Sequence, residues 1–264
     1  MNAALALIAS TFEKPTTKDF VWPCWGGSIK IGGIGFCFNF IFFLLLLAFS
    51  ATILFFVAGL RKPKIVPGKF QSLVEMAVEF VRNQIVVQMI GPEGMPFLPL
   101  LATFFFFVFF GNILEVVPFV GFPLNSRIAF PLVLAIVSWV TYNTLGIMRH
   151  GLFGYLKMVM FPPGAPAAMY LLLAPIEFFS TIIVRPITLS VRLFANMVAG
   201  HFLLAVFFLG SIALFTGAPY VVGLVSFGAG TVMILFEIFV AGLQAFIFAV
   251  LSASYIAGAM AEEH

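Results

Sequence analysis

Residues 168–215, AMYLLLAPIEFFSTIIVRPITLSVRLFANMVAGHFLLAVFFLGSIALF, and residues 220–260, YVVGLVSFGAGTVMILFEIFVAGLQAFIFAVLSASYIAGAM, decide the fold. As a continuous helix rising about 1.5 Å per residue, either segment would be roughly 60–70 Å long, about twice the roughly 30 Å thickness of a bilayer's hydrocarbon. Both must tilt steeply, bend or extend out of the membrane, and Pro175 and Pro186 are the expected bend points in the first. The connection Thr216-Gly217-Ala218-Pro219 is short, so the two segments are expected to form an antiparallel hairpin.

The rest of the chain has the same character. Of 264 residues, 62% are hydrophobic and 9% charged, against roughly 45–50% and about 25% in soluble domains. No soluble fold could hide that much apolar surface. Ahead of the hairpin, spans are expected at 36–60, 97–117 and 128–148, with Pro118 closing the second. Between 70 and 90, Glu75, Glu79, Arg82 and Gln84 alternate with Leu73, Val74, Val78 and Val81, the pattern of an amphipathic helix on the membrane surface. The predicted fold is thus an all-α integral membrane protein in one membrane domain, 1–264. It has about five transmembrane helices and a surface helix, and it ends in a long, tilted hairpin over 168–260.

Basic residues collect between apolar runs, so the formal charge of +3 reports membrane orientation, and no nucleic-acid partner is expected. Arg61, Lys62, Lys64, Lys69, Arg82, Arg149 and Lys157 fall on segments read as cytoplasmic. The two later outward loops carry only Arg127, while the outward tail, 1–35, carries Lys14, Lys18 and Lys30. The N-terminus is therefore expected outside and the C-terminus in the cytoplasm. The opening MNAALALIAS lacks a basic leader, and no cleaved signal peptide is expected. Cys24 and Cys37 have neither the spacing nor the histidine neighbours of a metal site. No metal and no other cofactor is expected.

Arg192 sits deep in apolar sequence, and an ionisable residue inside a membrane span marks a functional site. At 100° per residue, Arg185, Thr188, Ala195, Asn196 and Ala199 lie within about 60° of it. This small, polar stripe lets another helix approach closely, and its cation favours an anionic partner. An internal ion pair holding the bundle together is the structural alternative. In the hairpin, residues whose numbers add to about 436–438 come level, which pairs Arg192 with Gln244 and His201 with Glu237. Glu237, Gln244 and Tyr255 share one face of the last helix. His201 and Glu237 could pass protons between them near neutral pH, or simply tie two helices together. Asn112 and Glu115 are three apart near the outward end of the second span and extend such a path. Glu177 is placed to serve likewise on the cytoplasmic side.

The constellation RLFANMVAGH, followed about forty residues later by LQAFIFAVLSASY, with GNILEVVP in the second span, resembles subunit a of the F-type rotary ATP synthase of bacteria. The resemblance runs from about the first span to the C-terminus, and no motif places the residues before Phe36. It implies a stationary, non-catalytic ion-channel subunit in the bacterial inner membrane, beside a c-ring and peripheral-stalk b subunits. Arg192 matches the arginine that faces the ring and separates two proton half-channels. Asn196 and Gln244 match its polar neighbours, while Glu115, His201 and Glu237 match the outward half-channel.

Two other classes compete on the sequence alone. A proton-coupled secondary transporter would often show an internal repeat and paired broken helices, and neither is evident. A membrane-embedded enzyme would need a catalytic motif, but the chain holds no HExxH, GxSxG, phosphate loop or clustered Cys and His ligands.

Overall fold

A computed structural model describes residues 28–31, 34–61, 64–117, 120–161, 169–216 and 220–261. Lys14, Lys18, Cys24, Lys62, Pro63, Pro118 and residues 217–219 lie outside the described residues. A short antiparallel pair, β1 (Ser28–Ile31) and β2 (Ile34–Cys37), comes first. The elements that follow are helical: α1 (Phe40–Leu60), α2 (Lys69–Val81), α3 (Leu98–Ile113), α4 (Ala129–Met160), α5 (Tyr170–Phe179), α6 (Arg185–Thr216) and α7 (Tyr220–Met260).

Five stretches are long and apolar enough to cross a membrane: Phe40–Leu60, Pro92–Ile113, Ala129–Met160, Tyr170–Phe215 and Tyr220–Met260. The fold is that of a helical membrane protein, as expected. Large apolar side chains such as Leu54, Leu171, Leu224 and Leu235 are exposed, which suits lipid as solvent. Helix α2 buries only Val74 and Val81 and leaves Glu75 and Glu79 exposed. Helix α3 stops at Ile113, so Glu115 sits in the turn beyond it, its N–H bonded to the Asn112 carbonyl at 3.1 Å. Helix α4 is interrupted at Gly151, whose φ of 69° a residue with a side chain adopts reluctantly.

The described residues fall into two compact units. One is drawn from 1–51, 109–126 and 195–243, the other from 52–108, 127–194 and 244–264. In the first unit, the α6–α7 register is fixed by close contacts at small residues. Ser226 Oγ donates to the Phe207 carbonyl at 2.9 Å, Gly230 faces Phe207 and Phe208, and Gly223 faces the Phe215 ring. In the second, Phe106 packs on Phe55 and Phe56, Phe104 packs on Phe248, and Ser138 bonds Ser252 at 3.0 Å. A Cβ at Gly59 would lie 2.6 Å from Val74, so α1 and α2 touch there backbone to side chain.

The break between α5 and α6 has an identifiable cause. Pro175 lies inside α5, whereas the backbone widens at Ser180–Val184 into a π turn, in which the Arg185 N–H reaches back five residues to the Ser180 carbonyl. Pro186 follows at once and has no N–H to give the Thr181 carbonyl, five residues back, or the Ile182 carbonyl, four back. Unpaired carbonyls are costly in a membrane. Here two side chains of α4 serve them: Tyr142 Oη donates to Thr181 at 2.8 Å and Trp139 Nε1 to Ile182 at 2.9 Å.

Candidate functional site

The first unit holds an acid, imidazole and amide cluster in an otherwise apolar setting. His201, on α6, is half-buried, and its Nδ1 stands 3.3 Å from Oε1 of the buried Glu115. The Phe122 ring meets the imidazole edge-on at 5.3 Å and limits how it can turn. Glu237, on α7, is 4% exposed, and its Oε2 has no hydrogen-bond partner among the described residues. Room for its carboxylate exists because residue 200 is glycine, where any Cβ would collide with it.

Asn112 and Asn125 add a second polar patch. Asn125 Nδ2 donates to Asn112 Oδ1 at 2.6 Å, which leaves Asn112 Nδ2 and Asn125 Oδ1 buried and unpaired among the described residues. Buried polar atoms without partners are expensive in apolar surroundings and commonly bond to water. A cavity of about 230 Å³, lined by Glu115, Gly121, His201, Phe208 and Ile234 among others, opens beside the cluster. It can admit water, and with Glu115 and His201 on its wall it can exchange protons with them.

Arg192, in the second unit, lies on α6 and is exposed. Among the described residues it makes no hydrogen bond and no ion pair; the ion pairs there are His201 with Glu115 and Arg149 with Glu93. The internal carboxylate that would have made Arg192 a scaffold residue is therefore not found among them. Thr188, Ala195 and Ala199 are also exposed, while Arg185, Asn196 and Gln244 are half-buried. Asn196 Nδ2 is buried without a partner among the described residues, and Thr188 Oγ1 donates back to Val184 at 2.9 Å.

A separate cavity of about 160 Å³ in the second unit brings together Glu177, Arg185 and Tyr255, three residues singled out in the sequence for different reasons. Tyr142 and Tyr155 join them there. The Arg185 guanidinium lies 5.2 Å from the centre of the Tyr255 ring, and Tyr155 Oη donates to Asn143 Oδ1 at 3.0 Å. Sequence reasoning missed Asn125, Trp139, Tyr142, Tyr155 and Gly200. Pro186 carried a usable signal, because its missing N–H requires a donor from elsewhere. Polar-tipped aromatics inside an apolar helix carried another, because buried Tyr and Trp seek a partner. Among the described residues no group of His, Cys, Asp or Glu could hold a metal.

Residues 40–257 match the sequence pattern of a protein family described as the ATP synthase A chain. The chain is 44% identical to the ATP synthase subunit a of Frankia alni over 96% of its own length and 88% of that protein. It is 41% identical to the ATP synthase subunit a of Streptomyces lividans, over 96% and 89%. Against the ATP synthase subunit a of Rhodospirillum rubrum it is 38% identical, over 87% and 91%.

Proposed function

The chain belongs to the ATP synthase A chain family, and on that premise we propose that it is the stationary proton channel of a rotary ATP synthase. It contributes two half-channels to a ring of c subunits and carries no ATP chemistry of its own. It sits as a multi-pass protein in a bacterial inner membrane, N-terminus outside and C-terminus cytoplasmic, with peripheral-stalk b subunits beside it. The observation that carries this reading is Arg192: a guanidinium exposed on an apolar helix, with no partner among the chain's described residues. Such a charge calls for an anion from a neighbouring polypeptide.

Protons enter from outside by way of Asn112, Glu115, His201 and Glu237 and protonate a carboxylate on the ring. After rotation they leave on the cytoplasmic side by way of the cavity at Glu177, Arg185 and Tyr255. The two paths must not join. Arg192 separates them, flanked by Asn196 and Gln244, and draws each ring carboxylate into its ionised form as it passes. At about 4 Å and an effective dielectric near 20, that attraction is about 4 kcal/mol. It favours the ionised acid by roughly three powers of ten. Water in the half-channels must offset part of it, since a permanent ion pair would stall rotation. Arginine suits the task because it keeps its charge where a buried lysine can lose it.

Purification of the assembly through a tag on this chain tests the proposal. A ring of small two-helix subunits should accompany it, and ATP added after reconstitution should acidify the vesicle lumen. An assembly without such a ring, or one that moves a solute with the proton, would overturn the reading.

A further inference from the structure

We infer that Trp139 and Tyr142 are positioning residues for Arg192: by holding the π turn at Ser180–Val184, they set the direction in which α6 points that cation. A π turn inserts one residue into a helical path, so everything beyond it is rotated by about 100° relative to an unbroken α-helix. Arg192 lies two turns beyond this one. With the turn in place, Arg192 shares exposure with Thr188 and Val191, while Leu189, Ser190 and Leu193 are buried. Without it, the exposed face would shift by one position and Arg192 would move off it.

The turn needs outside support, because Pro186 cannot bond either carbonyl left behind it. Both donors come from α4 and sit three residues apart on one face: Tyr142 Oη on Thr181 at 2.8 Å and Trp139 Nε1 on Ile182 at 2.9 Å. The Tyr142 side chain is itself held. Tyr142 is 2% exposed and packs edge-on against Tyr255 at 5.6 Å. Lipid tails offer these carbonyls no donor, so losing Trp139 and Tyr142 favours a backbone path that pairs them differently.

The inference rests on the proposed ring-facing role of Arg192, and its test separates the two. In the whole assembly, a cysteine at Thr188 or Ala195 is oxidised against a cysteine on the ring helix, and the disulfide yield reports which way α6 faces. The parent should cross-link at both positions. Trp139→Phe with Tyr142→Phe keeps an aromatic ring at each position, a smaller one at 139, removes both donors, and should lower the yield at least fivefold. Adding Pro186→Ala supplies one backbone N–H, within reach of the Ile182 carbonyl four residues back, and should recover part of the yield.

An unchanged pattern in the Trp139→Phe/Tyr142→Phe variant would overturn the positioning role. So would a loss that Pro186→Ala fails to restore even in part, because the rings' packing, not their hydrogen bonds, would then be at work. No cross-link in the parent would sink the ring-facing reading itself, and this inference with it.

Discussion

The Glu237 carboxylate fills the space that a side chain at residue 200 would occupy, so Gly200 on α6 and the buried acid on α7 stand level and in contact. His201 is the next residue along, which places an imidazole and two carboxylates, Glu115 and Glu237, around one short stretch of helix. A Cβ at residue 200 would push the carboxylate aside.

Gly200→Ala should therefore displace the Glu237 carboxylate and slow passive proton flow through the membrane sector roughly tenfold, equivalent to about 1.4 kcal/mol at the barrier. Alanine is the better helix former by up to about 1 kcal/mol, so a loss here measures the collision. Gly210→Ala is the control, since its Cβ would meet only Ser226 Oγ at 3.7 Å. Proton flux in vesicles stripped of the ATP-hydrolysing sector reads both; equal fluxes in the two variants would dismiss the contact.

Glu237→Gln removes a proposed proton carrier but keeps the shape. Flow should fall several-fold without stopping, because Glu115 and His201 still line the neighbouring cavity. The same flux assay applies, and a rate indistinguishable from the parent would reduce Glu237 to a tie between helices.

Stability offers a prediction independent of transport. The Tyr155 ring lies over Gly146, where a Cβ would overlap it. Gly146→Ala should destabilise the fold by about 1–3 kcal/mol, the usual cost of overpacking, and lower the temperature at which the detergent-purified assembly loses this chain. Gly228→Ala, with nothing within 4 Å of its Cβ, should leave that temperature unchanged or higher. Equal melting of the two variants would mean that the Tyr155 ring moves aside freely.

The helical membrane fold was legible because lipid leaves a chain few choices: an apolar run of about 20 residues must pair its backbone internally. The hairpin register was legible too, since a short connection fixes which residues come level; Gly200 does meet Glu237. The π turn was not. The sequence marks Pro186 as a bend, but whether the backbone kinks or widens depends on donors from α4, and no local pattern ties Trp139 to Ile182. Asn125 was hidden for a similar reason. It lies in the loop beyond α3, and only the folded chain returns its amide to Asn112. The tyrosine-lined cavity escaped notice because Tyr142, Tyr155 and Tyr255 come from distant stretches whose periodicity says nothing of one another.

The role of Arg192 is tested most directly by Arg192→Ala in the complete assembly, reconstituted in proteoliposomes and followed with a luminal pH dye. ATP-driven acidification should vanish, and an imposed proton gradient should dissipate faster than in the parent, because nothing then separates the two proposed half-channels. A variant that still couples ATP hydrolysis to acidification would contradict the account.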